Sequence, residues 1–132
     1  MLKRTLPAIL LSCAALMTFA RAQKPAPKDP CADAQSQGEM NVCTYEKFKA
    51  ADAELNRVYN RLASMLKEDE AQRARLKAAE VSWVKYRDDN CDYEASAYEG
   101  GSIKPTIHNT CLERMTKART SELRGQIKDL DN

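Results

Sequence analysis

The amino-acid sequence predicts an all-α domain, an antiparallel three-helix bundle stapled by two disulfides. Three observations lead there. Apolar residues recur at three- and four-residue steps through three long stretches, and no segment alternates as a strand would. Helix-start and helix-stop residues fall between those stretches. An even set of four cysteines follows a leader that directs the chain into an oxidising compartment, where thiols pair.

The leader comes first. Met1-Leu2-Lys3-Arg4 is a basic opening, Thr5 to Ala20 is apolar and almost uncharged, and Ala20-Arg21-Ala22 is an A-x-A cleavage site. Residues 1–22 therefore read as a secretory signal peptide. The apolar run is too short and wrongly flanked for a stable membrane span. A rival cut at Leu10-Leu11-Ser12-Cys13 would expose Cys13 to lipidation, but it leaves a very short apolar run before the cysteine. The expected mature chain starts at Gln23 and is periplasmic or secreted. Of 21 basic and 19 acidic residues, cleavage removes Lys3, Arg4 and Arg21 and no acid, leaving 18 against 19, a net charge of −1. Nucleic-acid binding loses its electrostatic support, and no basic membrane-binding helix remains.

Residues 23–30, "QKPAPKDP", carry three prolines and no apolar period, as an extended tether would. The helical domain follows over 31–130. Ser36-Gln37-Gly38-Glu39 is an S-x-x-E capping box, in which serine and glutamate satisfy free amides at a helix start. Met40, Cys43, Ala51, Leu55, Val58, Tyr59, Leu62 and Leu66 then mark a first helix over about 37–67. Asp69-Glu70-Ala71-Gln72 is a second acidic start, and Leu76, Ala79, Trp83, Tyr86, Asn90, Tyr93 and Ala97 carry a stripe over about 70–97. Gly100-Gly101 ends it, since glycine adopts the left-handed backbone of a helix terminus at little cost. A third helix starts around Ser102 to Pro105 and carries Ile107, Cys111, Leu112, Met115, Ala118, Leu123, Ile127 and Leu130.

Helical rise converts these spans into heights. Asp52, Trp83 and Arg119 fall at about 22, 21 and 21 Å along the bundle, with Arg87 one turn below Trp83. The expectation is a structural cluster of Asp52, Trp83, Tyr86, Arg87 and Arg119. In it Trp83, the only tryptophan, fills the middle of a thin core, largely buried, while Asp52 pairs with Arg119 or Arg87. A catalytic reading would need Asp52 beside a second tuned group in a cleft, and a narrow bundle offers neither. With no nucleophile motif, phosphate-cradling glycine loop or paired histidine, neither an enzyme nor a cofactor is expected.

The same arithmetic gathers Cys31, Cys43, Cys91 and Cys111 at one end of the bundle. Spacings of 11, 47 and 19 intervening residues and the single His108 give a metal site no support. Three connectivities are open to four cysteines, with cross-helix bonds slightly favoured.

In order and spacing, Cys31 through Cys43 with "SQGEMNVC" at 36–43, "ADAELNRVY" at 51–59, "WVKYRDDNC" at 83–91, "GGS" at 100–102 and "CLERMTKARTSEL" at 111–123 resemble the lysozyme inhibitor LprI N-terminal-domain family, over about 31–125. The resemblance implies a small, exported, disulfide-bonded helical domain of the bacterial envelope, and a partner that is a lysozyme-like muramidase. The candidate contact is the connection from Tyr98 to Pro105, where Gly100, Gly101, Ser102 and Lys104 can bring backbone amides, a hydroxyl and a cation to an acidic glycosidase cleft. The plainer reading of the glycines is a helix-ending turn. The alternative function is a structural or accessory protein that binds another envelope protein without inhibiting lysozyme.

Overall fold

The computed structural model describes residues 29–132. The signal peptide, Cys13 and residues 23–28 of the tether lie outside the described residues. Three helices follow in order: α1 Gln37–Met65, α2 Glu70–Ser96 and α3 Lys104–Leu130.

Each start has a local cause. Ser36 has extended backbone and its side chain accepts from the Glu39 N–H at 3.2 Å, as a capping box requires. The Glu39 carboxylate reaches one residue past the cap, accepting from the Gln35 N–H at 2.6 Å. Asp69 caps α2 by accepting from the Gln72 N–H at 2.8 Å. Beyond α2, the chain turns through Gly101 N–H donating to the Tyr98 carbonyl at 3.0 Å, with Gly100 at φ 75°, the left-handed conformation that favours glycine. Ile103 caps α3 with no side-chain hydrogen bond, and Pro105 sits in its first turn.

The most extensive packing joins α1 to α3, which run in the same direction, rather than either chain neighbour to α2. Leu55, Val58 and Leu62 of α1 meet Leu123 and Ile127 of α3 in the main core, with Tyr59, Met65, Leu76 and Trp83 packed on it half-buried. A second cluster holds Cys91, Cys111 and Leu112, flanked by Phe48 and Met115. The only buried residues of α2 are Arg87, Cys91 and Ala95, all in its C-terminal part.

The face α2 turns inward differs from the expected stripe by about one residue. Tyr86 and Tyr93 are 59% and 77% exposed, and the residues covered instead include Arg87, Cys91 and Ala95. One residue is about 100° of helix, so a hydrophobicity pattern that counts tyrosines as core and arginine as surface selects the wrong face. The disulfide at Cys91 and the stacking of Arg87 set the rotation.

The disulfides are Cys31–Cys43 and Cys91–Cys111, with Cα separations of 5.7 and 5.5 Å. The second crosses from α2 to α3. The first is local, against the slight preference for cross-helix bonds, because the chain before α1 doubles back. Ala32 and Ala34 N–H groups donate to the Asp29 and Cys31 carbonyls at 3.0 and 3.2 Å, which brings Cys31 beside the second turn of α1. Asp29, read as the end of the tether, is held too: its carboxylate accepts from Cys31 N–H at 3.0 Å and from Lys47 at 3.2 Å.

Candidate functional site

Two places carry the expected site residues. The first is the middle of the bundle, where Asp52, Trp83, Arg87 and Arg119 do come together. The Arg87 side chain is 8% exposed. It donates from Nη1 to Asp52 Oδ1 at 3.1 Å and to Thr116 Oγ1 at 3.2 Å, and from Nε to Asp88 Oδ1 at 2.9 Å. Its guanidinium carbon lies 5.3 Å from the centroids of both Phe48 and Trp83, so one cation joins rings from two helices. Arg119 lies 5.8 Å from the Trp83 ring.

Of the two partners considered for Asp52, the structure selects Arg87. Arg119 is taken by Glu80, at 3.0 Å from both Nε and Nη2, and by Glu122 at 2.9 Å. Trp83 is half-buried rather than enclosed: it packs on the core that α1 and α3 form, with the Arg87 and Arg119 guanidinium groups near its ring. Tyr86 stays outside the cluster, on the exposed face. Sequence reasoning missed Phe48, Glu80 and Thr116. Helical spacing held the signal: Phe48 and Asp52 are four apart on α1, Glu80 and Trp83 three apart on α2, and Thr116 and Arg119 three apart on α3, so each pair shares a face. Chemically the cluster is an ion-pair and stacking centre in which Arg87 is engaged through Nε, Nη1 and both ring contacts, while Glu80 Oε1 is buried with no hydrogen-bond partner among the described residues.

The second place is the end of the bundle that holds the cysteines and the 98–105 connection. Tyr98, Gly100, Gly101 and Ser102 are exposed there. The connection is fastened rather than loose, since the Asn41 side-chain amide donates to the Ser102 carbonyl at 3.1 Å. Asn41 is itself fixed by Gln37 at 3.0 Å and by the Thr106 hydroxyl at 2.6 Å. Lys104 donates to Glu99 at 2.5 Å, so its charge is partly answered within the connection; the same hydrogen bond holds the Glu99 carboxyl below its ordinary value. Around it lie apolar and aromatic side chains that the bundle leaves outside: Val42 and Tyr45 from α1, Tyr93 from α2, and Tyr98 and Ile103 from the connection.

This chain has relatives. A family profile described as lysozyme inhibitor LprI matches residues 29–123, starting at the Asp29 that the turn before α1 anchors. A protein of Rhizobium meliloti (strain 1021), named as uncharacterized, is 32% identical over 135 residues, covering 94% of this chain and 94% of its own length. A crystal structure of a DUF1311 family protein from Pseudomonas putida KT2440 shares the fold at a TM-score of 0.61 and 24% identity, covering 66% of this chain and 89% of that one. The chain belongs to the lysozyme inhibitor LprI family.

Proposed function

We propose that this chain is an exported envelope protein that inhibits a lysozyme-like muramidase by protein–protein binding, without catalysis of its own, and that the cysteine end of the bundle makes the contact. Family membership supports the target class. The observation that carries the choice of surface is the group of exposed Tyr45, Tyr93, Tyr98, Val42 and Ile103 at that end. Tyrosines are enriched in protein interfaces because a large, stiff ring with a polar tip is buried at low entropic cost.

The connection supplies the polar part. Glycoside hydrolases of this kind place two carboxyl groups about the scissile bond. The Ser102 hydroxyl can donate to such oxygens, and the small residues beside it allow close approach. With Lys104 tied to Glu99, the Ser102 hydroxyl and the tyrosines carry more of the recognition than the cation does.

The test titrates the purified mature protein against several lysozyme types, scoring both binding and cell-wall hydrolysis. Wild type is expected to bind and inhibit at least one. Ser102→Asp combined with Lys104→Glu, first shown to keep its helices and disulfides, should lose at least about tenfold in affinity through like-charge opposition. Unchanged inhibition by that variant would place the contact elsewhere. Binding without inhibition would favour an accessory envelope role, and binding to none would reject the muramidase target.

A further inference from the structure

The near balance of charge over the mature chain hides an uneven distribution. Along one groove between α1 and α3, about 260 Å³ in volume, Arg57 and Arg61 form one wall and Arg124 and Lys128 the other. The two walls are in register. Arg57 lies as far beyond the start of α1 at Gln37 as Arg124 lies beyond the start of α3 at Lys104, and Arg61 and Lys128 each follow one turn later. Since the helices run in the same direction, the cations face one another as two rungs.

The upper rung demonstrates the convergence. Arg57 Nη2 donates to Glu54 Oε1 at 2.7 Å, and Arg124 Nη2 donates to the same oxygen. One carboxylate thus already occupies the point where guanidinium groups of two helices meet. Its carboxyl is held down at about 2, first by the hydrogen bond from Arg57, as a strongly positive setting requires. On the lower rung Arg61 reaches only Asp131, at 3.6 Å, and the Lys128 ammonium has no partner among the described residues. Four cations therefore face two carboxylates. The floor between them is Val58 and Ile127, both buried in the core, so the groove is sealed to an acyl chain while its walls are open.

We propose that the Arg57, Arg61, Arg124 and Lys128 groove is a binding site for a phosphate group. Guanidinium forks suit the tetrahedral oxyanion because they present paired N–H donors, and the lysine adds a mobile charge beside them. Glu54 is the internal competitor: it holds the upper two guanidinium groups and directs the incoming anion to the lower rung. The site lies toward the opposite end of the helices from the 98–105 connection, and it stands whether or not that connection binds a muramidase. The phosphate could be free or carried on a lipid headgroup, and the two sources can be separated.

The experiment follows backbone and arginine Nε–H resonances of the purified mature protein at low ionic strength. One arm adds inorganic phosphate; another adds vesicles of phosphatidylglycerol in phosphatidylcholine, with phosphatidylcholine alone as the control. Saturable shifts at Arg57, Arg61, Arg124 and Lys128 are expected in at least one arm: shifts with phosphate assign a soluble ligand, and shifts with the anionic vesicles alone assign a headgroup. Arg61→Ala with Lys128→Ala, both exposed positions, should weaken binding about tenfold at low salt. Glu54→Gln should strengthen it about threefold or more by releasing two guanidinium groups. Shifts in neither arm, shifts centred elsewhere, or an affinity indifferent to both variants would overturn the site.

Discussion

The two halves of α2 are made of similar residues and are held very differently. From Arg87 to Ser96 the helix is fixed by a disulfide to α3, by Ala95 in the interior and by a buried arginine that bridges to α1 and α3. From Glu70 to Tyr86 it has no buried residue; only Leu76 and Trp83 pack half-buried on the main core, and open grooves run beside it on both sides. Meanwhile α1 and α3 pack on one another along much of their length. The contrast teaches that this bundle is a helix pair with a third helix fastened at one end. In a thin core the fastening comes from a cross-link and a stacked cation more than from apolar area.

The strongest way to break the contrast is to cut the fastening. Replacing Cys91 and Cys111 together by serine should cost about 3 kcal/mol, the order expected for a closed loop of this length. Hydrogen exchange should then show the 87–96 segment losing its protection and coming to resemble 70–86. The Cys31–Cys43 bond closes a loop only somewhat shorter, yet the segment that its removal releases is the short turn before α1, so replacing that pair should leave protection in α2 unchanged. If both double variants loosened α2 equally, the cross-link would not be what holds it.

The two arginines that flank Trp83 sharpen the same comparison. Arg87 belongs to the fastened half, and Arg87→Ala removes the bridge between helices and the contacts to Phe48 and Trp83. The expected loss is about 2–3 kcal/mol, below the usual figure for breaking a buried pair because Asp52 is 39% exposed and can be solvated. Arg119→Ala removes a pair to Glu80 and the contact with the indole; Glu80 is only 14% exposed and would be stranded, so the expected loss is about 2–3 kcal/mol as well. Thermal unfolding followed by Trp83 fluorescence measures both. A much smaller loss for Arg119→Ala would mean that Glu80 regains solvent when its partner goes and that Arg87 alone joins the helices there.

How much of this was legible in the sequence follows from the same residues. Helix number, their boundaries to within two residues and the exposed position of the 98–105 connection were readable, because caps, glycines and the stripes of α1 and α3 agree with one another. The inward face of α2 was not. Its residues are nearly as polar on every side, so the choice rested on tyrosines that in fact stand outside, and on an arginine whose burial depends on rings brought by another helix. The same dependence on tertiary geometry explains the ion pairs: sequence placed Asp52 level with Arg119 and near Arg87, but Glu80 decides which arginine is free for it. Local pairing of Cys31 with Cys43 required the turn at Asp29, which a proline-rich tether does not announce.

The smallest expected effect concerns acid. Glu54 has its carboxyl lowered from 4.5 to about 2, chiefly by Arg57 and then by Arg124. A depressed carboxyl stabilises the folded chain above the unfolded value, and that contribution is lost as the pH falls through the folded one, so the window runs from about 4.5 down to 2. The group is partly exposed, which makes the contribution modest and sensitive to salt. Asp29, held low first by the Cys31 N–H, and Glu99, held low first by Lys104, act in the same direction at the cysteine end. Wild type should therefore lose Tm on acidification at both ends of the molecule, and Glu54→Gln should remove only one share. The expected result is a smaller fall in Tm between pH 5 and pH 2 for Glu54→Gln than for wild type at low salt, with the difference closing in high salt. Parallel curves for the two proteins would mean that the Arg57 and Arg124 bonds to Glu54 add nothing to folding, leaving those arginines available to an outside anion at no cost to the bundle.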